Sequence, residues 1–493
     1  MRILYKIANK LFRIVKKILK LLTSRMVIIG VALLLEFCWL AGIVMQLNEK
    51  SVYINYAVTI LSLIAVLSII NNPKMNPGYK LMWAVCILAL PVTGICLYGI
   101  LGHSSVARKF RTHYDTVLLS QGGVLGEEEE TRKKLEEENI LAAGQSSYLT
   151  NYAHYPVYEN TETEYYPLGD VWFEHFIEEL KKAEHYIFME YFIISEGYLW
   201  DTVLEILKEK AAAGVDVRLI YDDFGCVTTL PYQYYKSLQQ MGIKCAAFNQ
   251  FRPVLNVILN NRDHRKIAVI DGHTAFTGGI NLADEYINRK ERFGHWKDSG
   301  ICLHGEAVWS FTVMFLQMWS TITGMECDFE SYRPEIYHKE AFKKDGFVQP
   351  YGDSPLDGET VGEHVYLNII SQAKKYLYIF TPYLIPDNET LTALCMAAKR
   401  GVDVRIVTPG IPDKKIVYIL TQANYEILLE SGVRFTSIRQ ALSIPRALSV
   451  MMKLRRSERS TWITGACTCI LSAVSGCTAA VRLPGKRGCA DHV

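Results

Sequence analysis

A histidine and a lysine two residues apart are the side chains of this sequence that are best suited to chemistry. His264 and Lys266 lie in HRKIAVID, which alternates like a strand, so both side chains point to the same face. Asp271 follows at the end of that strand, and Gly279 and Asn281 follow in the segment GGIN. The pattern H-x-K-x-x-x-x-D, with GG-x-N after it, suits phosphoryl chemistry without a metal or a cofactor.

Each residue type has a role in such a reaction. The neutral imidazole of His264 can attack phosphorus and form a covalent intermediate. We expect Lys266, Gly279 and Asn281 to bind the charged phosphoryl oxygens. Asp271 is expected to hold the imidazole in the required tautomer. The reaction also needs an acid for the leaving oxygen and a base for the incoming hydroxyl, and one motif does not supply them.

Two similar stretches of alternating strands and helices position this chemistry. AEHYIFMEYFII (183–194) is echoed by AKKYLYIFTPYLI (373–385), and AAAGVDVRLI (211–220) is echoed by AAKRGVDVRIV (397–407). Strand, helix, strand units repeated in this way predict two related α/β domains, each on a largely parallel sheet. Chance similarity is the alternative, and the shared GVDVR in register with a preceding helix disfavours it.

The N-terminal region predicts attachment to a membrane. Residues 1–25 carry eight Lys or Arg residues and no acid, with apolar residues at helical spacing, so we expect a basic amphipathic helix on an anionic leaflet. Three apolar runs follow at 26–46, 52–70 and 81–102, each about as long as a transmembrane helix. Residues 26–102 are therefore expected to form two or three transmembrane helices.

The charges around these runs bear on orientation. Glu36 is costly in lipid unless it is paired or faces other helices, whereas Pro91 is tolerated. Basic residues at the N-terminus and at 108–111 both favour the cytoplasm, so one run is expected not to span completely. We expect a multi-pass protein of a cell membrane with cytoplasmic catalytic domains. Residues 103–150 are interpreted as a linker that contains a solvated charged helix.

Composition excludes several other classes. The net charge is +2, and no basic stripe with interleaved aromatic residues indicates a nucleic-acid partner. The 12 cysteines are scattered without a C-x-x-C pair, which favours reduced thiols over a disulfide framework or a metal site.

The quoted motifs resemble the phospholipase D superfamily and, within it, the bacterial cardiolipin synthases. The similarity rests on NNRDHRKIAVIDG, GGINLADEY, FGHWKDSGICLHGEAVWSF, TPYLIPD and the apolar N-terminal region, and it covers roughly residues 50–433. It implies that His264 attacks phosphatidylglycerol and releases glycerol. A second phosphatidylglycerol then takes the phosphatidyl group, which gives cardiolipin. The resemblance also implies a second motif in the second half, whose histidine serves as acid and base.

That second motif is absent from the chain as written. The internal repeat predicts it within 440–455, yet no histidine lies between His364 and His492. The tail also differs in composition, because none of the 29 tyrosines comes after Tyr425. We therefore expect a first phospholipase D-like domain at 151–335 and an incomplete second one at 336–433, before the tail.

A one-base shift of the reading frame accounts for the missing motif. When each codon is rebuilt from the last base of one codon and the first two of the next, codons 443–444 allow His, 445–446 allow Lys and 450–451 allow Asp. We hypothesise a slip near Arg434 or Phe435. Residues 434–493 would then be out of frame and without a selected fold, and we expect disorder or poorly packed structure there. A natural variant tail is the alternative.

Three functions are compatible with these observations. The first is a phosphatidyltransferase that acts on phosphatidylglycerol in the bilayer. The second is a hydrolase of the same superfamily, and the third is a non-catalytic membrane remnant. We expect the chain as written to be nearly inactive, since it lacks half of the site. The oligomeric state does not follow from the sequence.

Overall fold

The computed structural model describes ten stretches of the chain, and the account below is restricted to residues 25–44, 49–73, 75–102, 123–126, 129–250, 262–292, 294–353, 359–438, 447–451 and 477–483. The chain divides into two compact units. One unit comprises residues 1–109 with 252–258, and the other comprises 110–251 with 259–493.

The first unit is helical within its described residues. Its elements are α1 (Arg25–Val44), α2 (Glu49–Ile70), α3 (Pro77–Ala89), α4 (Pro91–Leu97) and a π-helix (Tyr98–Gly102). The third apolar run is therefore interrupted at Pro91, which lacks the backbone N–H that a continuous helix would need. Glu36 is buried in α1, and its Oε2 accepts a hydrogen bond of 2.7 Å from the backbone N–H of Thr93.

The expected membrane helices are not confirmed. Within the parts of the chain that the structure describes, no helix has both the length and the apolar character required to cross a bilayer. The predicted basic amphipathic segment at 1–25 lies outside the described residues, except for Arg25 at the start of α1.

The interpretation of residues 103–150 as a linker is wrong for its second part. Residues 129–153 form α5 (Glu129–Glu138) and α6 (Ile140–Ala153), and both helices pack into the core of the second unit. Leu135 and Leu149 are completely buried, so the charged helix α5 does have an apolar contact. Residues 103–122 lie outside the described residues.

The first half of the second unit is built on a seven-stranded mixed sheet. Its strands are β1 (Thr161–Tyr166), β2 (Tyr186–Tyr191), β3 (Asp216–Asp222), β4 (Lys244–Phe248), β5 (Lys266–Ile270), β6 (Thr274–Gly278) and β7 (Gly300–Gly305), and their order is β1-β7-β6-β5-β2-β3-β4. Of the neighbouring strand pairs in this sheet, only β2–β3 and β3–β4 are parallel, so the expectation of a largely parallel sheet holds for less than half of it.

Helices cover both faces of this sheet. They are α7 (Gly169–Lys182), α8 (Tyr198–Ala212), α9 (Tyr234–Gln240) and α10 (Val308–Thr323). Trp172 and Phe176 of α7 pack in one core cluster with Trp200 and Val203 of α8. Helix α10 lies in the other cluster and is buried on all sides, because it packs against this sheet and against β8 (Phe347–Asp353) of the second half.

The second half carries a shorter sheet. It adds the helices α11 (Pro334–Tyr337), α12 (Val361–Gln372), α13 (Asn388–Lys399), α14 (Lys415–Ala423) and α15 (Tyr425–Glu430). Its remaining strands are β9 (Tyr376–Phe380), β10 (Asp403–Pro409), β11 (Arg434–Ile438), β12 (Ala447–Met451) and β13 (Cys477–Leu483). Four strands pair in the order β11-β10-β9-β12, and β13 pairs with β8.

The tail at 434–493 thus differs from the expectation of disorder at three places. Strand β11 begins at Arg434 and pairs parallel with β10. Strand β12 pairs antiparallel with β9, and β13 pairs antiparallel with β8. The rest of the tail after residue 438 lies outside the described residues.

The two halves repeat the same strand register. Tyr186 of β2 pairs with Asp216, and Tyr376 of β9 pairs with Asp403. Each aspartate forms an ion pair of 2.7 Å with the arginine two residues later, within the shared sequence GVDVR. The predicted relation between the halves is therefore confirmed in the backbone.

Candidate active site

The two chemical residues of the sequence motif meet at one end of the first sheet. His264 directly precedes β5, and Lys266 pairs with Tyr191 at the carboxyl end of β2. Lys266 Nζ lies 3.0 Å from His264 Nδ1 and donates a hydrogen bond of 2.6 Å to the His264 carbonyl oxygen. An ammonium group has donors only, so Nδ1 is an acceptor here and keeps a lone pair.

An aromatic ring supports this pair. The ring of Phe192, just after β2, lies 4.6 Å from the imidazole of His264 between centroids. Lys266 Nζ lies 5.3 Å from the centroid of the same ring, which adds a favourable contact for the buried ammonium group. His264 itself is half-buried and therefore open to a substrate from one side.

Buried charges hold the chain on one side of His264. Arg262 Nη1 lies 3.4 Å from Asp222 Oδ1, and the backbone N–H of Asp263 donates to Asp222 Oδ2 at 3.0 Å. Burial raises the pKa of Asp222 to about 6, against the hydrogen bond from Gly225 and the charge of Arg262. Asp222 thereby holds the segment that carries His264.

A second buried pair holds the chain on the other side. Arg265 Nη1 lies 3.4 Å from Glu190 Oε1, and both side chains are at most 2% exposed. Burial, together with the charge of the adjacent Asp263, raises the pKa of Glu190. Glu190 was not among the residues predicted for the site. The sequence does indicate it, because Glu190 is the one carboxylate in the strand HYIFMEYFII.

Asp271 lies at the opposite end of β5 from His264. Its carboxylate accepts three hydrogen bonds of 2.8 Å from the backbone N–H groups of Glu184, His185 and Tyr186. These bonds fix the start of β2. The expectation that Asp271 orients the imidazole is therefore incompatible with this geometry.

Asn281 and Gly279 lie in the loop after β6. Asn281 Oδ1 accepts a hydrogen bond from the Ile193 N–H at 3.0 Å, and Nδ2 donates to the Tyr286 hydroxyl at 2.8 Å. Asn281 thereby ties this loop to the loop after β2, close to Phe192. A Cβ on Gly279 would lie 1.9 Å from Asp298 Oδ1, so a side chain at this position would require the Asp298 carboxylate to move.

The second half approaches the same region through β9. Lys297, in the segment before β7, places its Nζ 5.9 Å from the ring centroid of Phe380 at the carboxyl end of β9. Phe380 pairs with Ala447, as Glu190 pairs with Ile267 in the first half. Counted back along the sequence from Ala447, residues 444 and 446 correspond to His264 and Lys266.

Those two positions hold Ile444 and Arg446 in this chain, and both lie outside the described residues. The codon pairs 443–444 and 445–446, which allow His and Lys in the shifted frame, fall at this place.

A cavity of about 410 Å³ lies at the Asp271 end of the sheet, remote from His264, and it is lined by residues that include His273, His304 and Tyr337. The rings of His273, His304 and His338 pack together, with centroids 5.1 to 5.9 Å apart. Among the residues that the structure describes, no group of three or more His, Cys, Asp or Glu side chains is arranged to hold a metal ion.

Comparisons with known proteins agree with the motif. The family described as "Cardiolipin synthase, PLD-like domain" matches residues 176–319 and 366–466, and "Phospholipase_D-nuclease N-terminal" matches residues 60–103. A protein of Streptococcus mutans is 43% identical over 383 residues, which are 75% of this chain and 79% of that protein.

A cardiolipin synthase of Alkalihalophilus pseudofirmus is 33% identical over 380 residues, which are 76% of this chain and 74% of the relative. The crystal structure of phosphatidylserine synthase from Haemophilus influenzae matches with a TM-score of 0.45 and 14% identity, over 65% of this chain and 80% of that one. Given the identity to curated cardiolipin synthases over most of their length, the chain belongs to the cardiolipin synthase family of phospholipase D-like proteins.

Proposed function

We propose that the site around His264 transfers a phosphatidyl group from one phosphatidylglycerol to another. The observation that carries this proposal is the His264–Lys266 pair, in which the imidazole Nδ1 lies 3.0 Å from the ammonium nitrogen. The imidazole attacks phosphorus, the bond to glycerol breaks, and a phosphatidyl-histidine forms. The hydroxyl of a second phosphatidylglycerol then displaces the histidine and gives cardiolipin.

Lys266 has two tasks in this scheme. Its position against the His264 carbonyl oxygen fixes the ammonium group on the side of the imidazole. When phosphorus becomes five-coordinate, negative charge develops on its equatorial oxygens, and the ammonium group stabilises that charge. We assign a supporting role to Asn281 and Gly279, which shape the adjacent loop and bring it close to the substrate phosphate.

We propose that the chain as written performs this reaction poorly. Glycerol leaves as an alkoxide unless an acid protonates it, and the incoming hydroxyl needs a base. The position that corresponds to His264 in the second half is Ile444, which can do neither. A non-catalytic membrane remnant is therefore the second candidate function for this exact polypeptide.

We further propose that a one-base slip near codon 434 or 435 removed the second motif. The register of β12 on β9 supports this, because it brings codons 443–446 to the positions of a second histidine and lysine. Resequencing the gene across codons 430–440 tests the slip directly. A clean single frame through these codons would rule it out.

The test of the transfer reaction uses a frame-restored chain in vesicles of phosphatidylglycerol, with His264→Ala in the same background. Thin-layer analysis should show cardiolipin from the restored chain and none from the variant. Equal cardiolipin from both would overturn the proposal. Release of phosphatidic acid without cardiolipin would instead show a hydrolase of the same superfamily.

A further inference from the structure

Helix α14 turns its apolar face away from the protein. Ile416, Ile419, Leu420 and Ala423 recur at the i, i+3, i+4 and i+7 spacing of a single helix face. Their exposure is the reverse of what this pattern normally predicts, since Ile416 is 75%, Ile419 63% and Leu420 48% exposed. A contiguous exposed apolar face of this kind on a globular protein indicates a site that binds another molecule or a membrane.

Hydrogen bonds on the other side fix this orientation. Thr421 is buried, and its Oγ1 accepts a hydrogen bond of 3.1 Å from the backbone N–H of Leu384. Asn424 Nδ2 donates to the Leu384 carbonyl oxygen at 3.1 Å. The polar side of the helix is thereby tied to the loop after β9. Rolling the helix to bury its isoleucines would break both contacts.

Neighbouring loops extend the apolar face. Ile385, next to the anchoring residue Leu384, is 54% exposed, and Ile411 before α14 is 39% exposed. We call Ile385, Ile411, Ile416, Ile419 and Leu420 the α14 patch. Its loops follow β9 and β10, at the carboxyl ends of the parallel strands. In the first half, His264 lies at the corresponding end of β2 and β3.

The charged residues at the start of α14 are two lysines and one aspartate, Asp413. Lys414 and Lys415 begin the helix, and no acidic residue occurs within Lys415–Ala423. Lys414 Nζ lies 5.5 Å from the ring centroid of Tyr383, whose hydroxyl donates to the carboxylate of Asp413. An apolar face bordered by lysines is the arrangement that binds an anionic bilayer, because the apolar side chains enter the acyl boundary and the lysines meet lipid phosphates.

We propose that the α14 patch is the surface by which the second half of this protein rests on an anionic phospholipid bilayer. The inference deepens the proposed function, on which it rests for the bilayer source of the substrate. The patch itself is argued from exposure, anchoring and charge. A bilayer at this surface faces the end of the sheets where His264 lies, so a lipid head group reaches the site without leaving the membrane.

A lipid crosslinking experiment tests this surface without turnover. The full chain carries the photoreactive residue p-benzoylphenylalanine in place of Ile419 and is mixed with phosphatidylglycerol vesicles. Met241 provides a matched control position, because it is also apolar and is 42% exposed, before β4 at the amino ends of the parallel strands. After irradiation, mass spectrometry should find at least fivefold more lipid adduct at position 419 than at 241.

Charge dependence sharpens the result. A variant with Lys414→Glu and Lys415→Glu should give several-fold less lipid adduct at position 419 on phosphatidylglycerol vesicles than the chain with both lysines. The chain with both lysines should itself give less adduct on phosphatidylcholine vesicles than on phosphatidylglycerol vesicles. Equal lipid yields at 419 and 241 would overturn the proposal. So would an adduct between 419 and a peptide of this chain, which would show that a segment or a second copy covers the patch.

The outcomes separate the two proposals. Lipid adducts at 419 from a frame-restored chain that makes no cardiolipin would leave the bilayer surface intact and sink the transfer reaction. Cardiolipin synthesis without lipid adducts at 419 would support the transfer reaction and overturn the bilayer surface.

Discussion

The two halves of the second unit share a backbone but not a set of buried charges. In both halves a parallel strand pair has the same register and the same Asp–Arg ion pair, Asp216–Arg218 and Asp403–Arg405. The strand position of Glu190, however, is occupied in β9 by Phe380. The first half buries a carboxylate where the second half has an aromatic ring.

This difference separates what the fold requires from what the site requires. The second half forms the strand pair without the carboxylate, so the scaffold does not depend on it. Burying charges is costly, and replacing a buried ion pair by apolar residues is often neutral or stabilising. The Arg265–Glu190 pair is therefore best explained by its place beside His264, where it keeps this residue in position.

Restoring the second motif should produce the largest effect, a change in the rate of cardiolipin formation. The frame-restored chain regains a histidine and a lysine in the second half, and we expect its rate of cardiolipin formation to exceed that of the present chain by about 10²–10⁴-fold, the usual contribution of general acid–base catalysis. Initial rates on phosphatidylglycerol vesicles measure it. Equal rates would mean that the first half is sufficient.

Removing the buried carboxylate should destabilise the first half strongly. Glu190→Ala leaves Arg265 buried without its partner, and we expect a loss of about 3–5 kcal/mol in the free energy of unfolding. Burial raises the pKa of Glu190, so Glu190→Gln should be much milder and serves as the control. Denaturant titration of both variants decides. If Glu190→Ala lowered the free energy of unfolding only slightly, the buried ion pair would not distinguish the first half from the second.

The histidine cluster of the first half should make the protein sensitive to acid. Burial, together with His304 and His338, lowers the pKa of His273 from 6.5 to about 4. The unfolded chain binds the proton near pH 6.5 and the folded one only near pH 4, so stability falls as the pH falls through that window and is constant above it.

His273→Asn should flatten the pH dependence of thermal unfolding between pH 6.5 and 4. Its control is the same change at the exposed His295, which should leave the slope as it is. An unchanged slope in the His273 variant would show that other groups carry the acid sensitivity.

The smallest effects should come from the ion pairs that the halves share. The Asp403 and Arg405 side chains are 29% and 45% exposed, and we expect Asp403→Ala to cost less than about 1 kcal/mol. Asp216 also accepts hydrogen bonds from Lys244 and the Tyr332 hydroxyl, so Asp216→Ala should cost about 1–3 kcal/mol. Chemical denaturation of the matched pair measures the difference. Equal losses would contradict this ranking.

The proximity of His264 and Lys266 and the internal repeat could both be predicted from the sequence, because each rests on strand geometry. A period of two places His264 and Lys266 on one face, and the two GVDVR segments occupy equivalent strands. The predicted role of Asp271 is wrong because β5 separates this residue from His264. Seven residues along an extended strand span about 23 Å, which is too far for contact with the imidazole.

Other features depend on partners that are remote in the sequence. Helix α6 appeared to belong to a linker because its contacts lie more than 200 residues away. The Tyr148 hydroxyl lies 2.8 Å from His364 Nδ1, and the Gln145 side chain accepts from Asn368. The ion pairs around His264 likewise join β2, β3 and the residues before β5, and periodicity in one segment does not reveal such pairing.

Glu36 and Pro91 acquire a joint meaning from the first unit. Pro91 starts α4, and Thr93 stands two residues later, in the first turn, where backbone N–H groups have no partner within their own helix. The Glu36 carboxylate, from a helix more than 50 residues earlier, accepts that N–H. The helix start at Pro91 leaves a backbone N–H without a partner in its own helix, and the buried Glu36 carboxylate of another helix accepts it. Replacing Glu36 alone by an apolar residue would leave the Thr93 N–H without its acceptor. Replacing Pro91 alone, so that the helix continues, would leave the buried Glu36 carboxylate without its donor.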